Sequence, residues 1–142
     1  MKLTPEERNT VISLEMQKAK NFFSQAEANA KIELWDVVAN RLYYSLFHAA
    51  SALLIHIEQT VSSHKGAIVQ FNKYFVKTGI IDKQYGYTYA MLQQMREKAD
   101  YNYSYTATES EVQPLLSLSQ QFISQITNLL QLPASEFISQ EN

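Results

Sequence analysis

LWDVVANRLYYSLFHAASALLIHI, residues 34–57, is the stretch that decides the fold. It contains neither glycine nor proline, and apolar side chains occupy almost every side of a 3.6-residue repeat: Val37, Val38, Leu42, Phe47, Ala49, Ala50, Ala52, Leu53, Leu54 and Ile55. A helix that is apolar nearly all round has to be enclosed by others, so this segment is predicted as the central helix of a bundle, running from about Leu34 to Ile57. Arg41, Tyr44 and His48 interrupt the pattern at i, i+3 and i+7, which stacks them along one face. A buried charge is costly unless it is paired. The polar stripe therefore requires either partners on neighbouring helices or a functional site.

The surrounding sequence supplies the enclosing helices. Thr4-Pro5-Glu6-Glu7 reads as a helix start: Thr4 as cap, Pro5 at the first position and Glu7 closing a capping box. This first helix is predicted to reach about Ala30. A shorter third helix covers about Gly66 to Lys77, with Gly79 as a left-handed terminator. A fourth spans about Asp82 to Ala99, with Tyr85, Tyr89, Leu92 and Met95 on its inner face. An aromatic–polar loop from Asp100 to Ala107 follows. Thr108 and Glu111 form a second capping box ahead of a fifth helix that Pro133 ends. Pro114 lies in its first turns, where it removes a backbone hydrogen bond, so this helix is predicted to start late or bend. Residues after about 132 read as a frayed tail. The expectation is an all-α, up-and-down bundle of four long helices plus one short helix, in a single domain covering residues 1–142.

Composition narrows the chemistry. The chain has 142 residues, 46% of them hydrophobic, which suits one domain with a substantial core. A formal charge of −2 gives no overall pull toward nucleic acid, so any such contact must come from a local patch. With no cysteine there is no thiol catalysis, disulfide or cysteine-ligated metal. The three histidines are too scattered for metal-ligand spacing, and no metal or other cofactor is expected. No run approaches the roughly 20 apolar residues of a membrane span. No apolar stretch of signal-peptide type opens the chain, and a cytoplasmic location is expected.

A second constellation, Arg96-Glu97-Lys98-Ala99-Asp100-Tyr101, places Arg96 and Asp100 at i, i+4. They read either as an intrahelical ion pair or as an anion-binding arginine oriented by a carboxylate. The Arg41, Tyr44 and His48 stripe likewise reads as a register-setting ladder or as part of a site, with His48 the side chain suited to acid/base work near neutral pH. His64, followed by Lys65 and Gly66, sits at a turn or helix start, where it caps the helix or helps hold a phosphate. His56 reads as incidental. Tyr101, Tyr103 and Tyr105 alternate beyond the fourth helix, covering the bundle or stacking on bases.

In this order these motifs resemble the HEPN family of small prokaryotic helical proteins, over roughly residues 10 to 130. The family's Arg-x-Tyr-Tyr-x-x-Phe-His-Ala-Ala-x-Ala-Leu-Leu pattern falls on Arg41 to Leu54. Its His-x-Gly turn falls on His64 to Gly66, its Phe-x-x-x-Phe-Val-Lys-Thr-Gly stretch on Phe71 to Gly79, and its Arg-x-x-x-Asp-Tyr motif on Arg96, Asp100 and Tyr101. The resemblance implies a bundle that dimerises and pairs with a small nucleotidyltransferase in a toxin–antitoxin module. It also implies, for the ribonuclease members, metal-free RNA cleavage by an Arg-x4–6-His motif, and in some a tyrosine that the partner modifies. Here Asp100, Tyr101 and Asn102 stand where that histidine would be, so only Arg96 carries over directly. The expected catalytic set is Arg96 on phosphate, His48 as acid/base, and Asp100 and Tyr101 as orienting groups. Arg41, Tyr44 and His64 are expected to contact an RNA or nucleotide substrate, and Tyr101 and Tyr103 are candidates for modification. The alternative is a non-catalytic, nucleotide-binding or scaffold dimer.

Overall fold

A computed structural model describes residues 2–137. Five α-helices form the bundle: α1 (Pro5–Lys31), α2 (Trp35–His56), α3 (His64–Phe71), α4 (Lys83–Tyr101) and α5 (Glu109–Leu130). A single π-helical turn, Asn72–Val76, extends α3, and a 3-10 turn, Ala134–Glu136, follows α5. The architecture is the all-α bundle expected, with α2 at its centre. Leu42, Tyr43, Ser45, Leu46, Ala49, Ala50, Leu53 and Leu54 of α2 are all fully buried.

α1 and α2 form an antiparallel pair whose register is set by three cross-links: Arg41 to Gln25, Ser45 to Ala19 and His48 to Glu15. The central one is a buried hydroxyl, Ser45 Oγ, donating to the Ala19 carbonyl at 2.6 Å. So short a bond from side chain to backbone requires small residues at the contact, and Ala19 and Ala26 on α1 are fully buried there.

The helix ends explain where sequence boundaries shift. Both α1 and α2 close in Schellman turns: Leu34 N–H bonds the Asn29 carbonyl and Gln59 N–H the Leu54 carbonyl, each at about the usual length. The left-handed position in these turns is held by Glu33 (φ 60°) and Glu58 (φ 65°), where glycine is the usual occupant. α3 begins two residues before the predicted Gly66. Ser63 caps it by accepting from the Gly66 N–H at 2.9 Å, which makes His64 its first residue. A Cβ on Gly66 would come within 2.8 Å of that capping oxygen, so glycine here serves the cap rather than breaking the helix.

α4 runs through Asp100 and Tyr101, which were expected in the following loop. That loop is tied back to the start of α2 by Asp36 Oδ1, which accepts from the Ala107 N–H at 2.6 Å. Pro114 neither delays nor ends α5, which starts at Glu109 under the predicted Thr108–Glu111 capping box. The proline frees the carbonyl of Ser110, and both residues are exposed, which leaves that carbonyl open to water. The predicted tail falls partly on residues 138–142, outside the described residues. Phe137 packs against Phe75 and His56.

Candidate functional site

The polar stripe of α2 meets α1, the first turn of α3 and the last turns of α4 in one chain of aromatic and cationic contacts. Phe47 is its hub: the His64 ring lies 4.4 Å from it and the His48 ring 5.1 Å, centroid to centroid. Tyr43 and Tyr44 both touch His64, at 5.7 and 5.9 Å. Arg96, reaching across from α4, places its guanidinium 5.3 Å from the Tyr43 ring and 5.8 Å from the Tyr44 ring. Arg96, Tyr44, His48 and His64 all retain partial solvent exposure, so the cluster lies at the surface over a buried floor formed by Tyr43.

Hydrogen bonding assigns the imidazole protons. Tyr43 is fully buried, and its hydroxyl lies 2.7 Å from His64 Nδ1. Burial, opposed by Arg96, pushes the Tyr43 phenol up to about 12, so it stays protonated. Its one partner here is His64 Nδ1, so the phenol donates and Nε2 of His64 carries the ring proton. Burial first, then the charge of Arg96 and the proximity of His48, holds His64 below its ordinary 6.5. His64 is accordingly a neutral N–H donor at neutral pH. Burial works to lower the pKa of Arg96, but Tyr44, Tyr43 and Asp100 outweigh it and raise the group above its ordinary value.

His48 has the opposite arrangement. Its Nδ1 lies 2.6 Å from Glu15 Oε1 on α1. A carboxylate only accepts, so Nδ1 carries a proton, and in the neutral form of the ring Nε2 presents a lone pair. The ring is held by near-parallel stacking on Phe22, 5.6 Å away at 2°. The site thus contains one histidine with a free acceptor, one with a free donor, and a guanidinium.

Arg41 lies at the edge of the cluster. Its guanidinium bonds Asn40 Oδ1 and Gln25 Oε1 and lies 5.0 Å from the Phe22 ring. Asp100 and Tyr101 end α4 in solvent, Tyr101 with 86% of its surface exposed. The ion pairs among the described residues join Lys2 and Arg8 to Glu58 and His48 to Glu15; neither Arg96 nor Arg41 pairs with Asp100. Nothing local in the sequence marks Glu15. Only the antiparallel register of α1 on α2 brings it to His48.

The chain is similar to known proteins in four matches. The HEPN domain matches residues 13–129. A "UPF0332 protein" of Thermotoga maritima is 30% identical over 125 residues, covering 88% of this chain and 95% of the relative. From Methanocaldococcus jannaschii, "Putative toxin MJ0605" is 36% identical over 95 residues, covering 67% of this chain and 69% of its own. "Putative toxin MJ0142" is 27% identical over 115 residues, covering 81% and 78%.

Proposed function

The chain belongs to the HEPN family, and on that premise we propose that it is the toxin-like member of a nucleotidyltransferase-linked module and cleaves RNA without a metal. The observation that carries this reading is the meeting of Arg96, His48 and His64 on one surface, each histidine held by one hydrogen bond and the guanidinium laid over two tyrosine rings.

In the proposed reaction His48 Nε2 takes the proton of a ribose 2′-hydroxyl, and Glu15 stabilises the imidazolium that forms. The 2′-oxygen attacks phosphorus and the bond to the 5′-oxygen breaks. This leaves a 2′,3′-cyclic phosphate and a 5′-oxygen that takes a proton from water. Arg96 and the Nε2–H of His64 neutralise charge on the non-bridging oxygens as it develops. His64 thereby supplies in space what Asp100 denies in sequence. Arg41 and Tyr44 flank the path of the strand. Tyr101 and Tyr103, both exposed, are accessible to a modifying partner, and the active species is a homodimer.

The test is RNA cleavage in EDTA by wild type, Arg96→Ala, His48→Ala and His64→Ala, each checked for folding by circular dichroism. Loss of cleavage in folded Arg96→Ala and His48→Ala supports the reading. Cleavage that survives both refutes it. One observation favours the non-catalytic alternative: Asp100, four residues after Arg96, repels phosphate where the ribonuclease motif has histidine. RNA that is bound but uncut by wild type, with binding lost in Arg96→Ala, decides for that binding role.

A further inference from the structure

A cleft of about 390 Å³ opens between the start of α1, the last turns of α2 and the connection after it, and two of its walls are Glu15 and Phe47. It therefore adjoins the candidate site: Glu15 holds His48 and Phe47 packs on His64. A second cleft, of about 400 Å³ between α1 and α5, shares no residue with the site, so volume alone does not single out the first. What does is its chemistry. Ser51 lies on its wall, 2% exposed, with a hydroxyl that has no partner among the described residues. A buried polar atom without a hydrogen bond calls for a reason. Phe47, Ile55 and Val61 supply apolar surface around it. Glu15 commits only Oε1 to His48, which leaves Oε2 as an acceptor.

From this we infer that the cleft is a nucleobase subsite, receiving the base next to the phosphate held at Arg96. The inference rests on the RNA-directed reading above. A flat heteroaromatic ring suits the apolar walls. An exocyclic amino group on that ring donates to Glu15, and a ring nitrogen or carbonyl meets the Ser51 hydroxyl after rotation about its χ1. Arg8 and Lys2 at the rim are paired with Glu58, so they do not supply the phosphate site. Cytosine and adenine carry the required amino group and uracil does not, so the subsite selects cytidine and adenosine over uridine.

The experiment is an NMR titration of the full chain with cytidine, adenosine, uridine and, separately, inorganic phosphate, on wild type and Ser51→Val. The expected result is that cytidine and adenosine shift the resonances of Ser51 and Val61, that uridine binds about tenfold more weakly, and that Ser51→Val weakens cytidine by about tenfold while remaining folded by circular dichroism. Uridine binding as well as cytidine, nucleosides that shift nothing, or an unaffected Ser51→Val each overturn the subsite. Phosphate reports on the other reading: shifts confined to the surroundings of His64 and Arg96, with silent nucleosides, leave the phosphate site standing without this pocket. Nucleoside binding in a protein whose Arg96→Ala variant cuts RNA normally supports the pocket and removes the Arg96 role.

Discussion

Tyr43→Phe isolates the one hydrogen bond that sets the tautomer of His64. The Tyr43 ring is fully buried and contacts Tyr44, Phe47, His64 and Tyr89. Phenylalanine fills the same space and leaves no cavity. What is lost is the bond from the phenol to His64 Nδ1. A neutral hydrogen bond contributes about 1 kcal/mol net. His64 is partly exposed, so its Nδ1 can turn to water and no orphan penalty is added. The expected loss is about 1 kcal/mol, or roughly 4 °C in Tm for a domain of this size. A second effect is specific to the proton assignment. Donation to Nδ1 favours the neutral ring, so its removal raises the His64 pKa somewhat, while burial, Arg96 and His48 still hold it below 6.5. It also releases the Nε2–H tautomer into a mixture. Urea denaturation measures the first effect, and imidazole nitrogen shifts followed against pH measure the second. A loss well above 3 kcal/mol would mean that the ring, not the bond, matters. An unmoved His64 pKa with an unchanged tautomer would refute the proton assignment and, with it, the role of His64 as donor.

Three further outcomes follow from other contacts. Ser45→Ala removes the buried bond to the Ala19 carbonyl and costs about 1 kcal/mol, whereas Ser45→Val forces α1 and α2 apart and costs about 1–3 kcal/mol; equal values for the two in urea denaturation would contradict the close approach. Glu33→Gly relieves a left-handed backbone at a residue whose side chain makes no hydrogen bond or ion pair among the described contacts, and it gains about 0.5–1 kcal/mol after the extra freedom of the unfolded chain is counted. His64, held below 6.5 in the fold, makes the unfolded chain bind the extra proton as pH drops through 6.5. Its contribution to stability is therefore complete above pH 6.5 and is lost on acidification from there down to the folded pKa, and this part of the slope should vanish in His64→Asn in denaturation curves taken from pH 5 to 8.

Arg96 shows how the structure changes an energetic expectation. A buried Arg96–Asp100 pair would make Arg96→Ala cost about 3–5 kcal/mol. Asp100 is instead exposed, and Arg96 lies over two tyrosine faces at a partly open surface. Cation–π contacts at such a surface contribute about 0.5–1 kcal/mol, so Arg96→Ala should stay folded, which is what makes it usable as a functional test.

The helices were legible in the chain because their signals are local. Apolar residues on all sides of 34–57 require enclosure, and Thr4 with Glu7 and Thr108 with Glu111 form the capping boxes that start α1 and α5. Arg41, Tyr44 and His48 were bound to share a face by the helical repeat alone. Local signals failed where a residue acts against its propensity: Gly66 inside a helix to admit the Ser63 cap, Pro114 inside α5 at an exposed turn, and glutamates at two left-handed positions. Which partners the polar stripe takes was decided only by tertiary structure. The register of α1 on α2 brings Glu15, 33 residues away in sequence, to His48. The return of the chain through α3 sets His64 on Tyr43, and the packing of α4 on α2 lays Arg96 over the tyrosines. Spacing along a helix specifies which residues share a face. Only the packing of helices against one another specifies what that face meets, because those contacts join residues with no fixed separation in the chain.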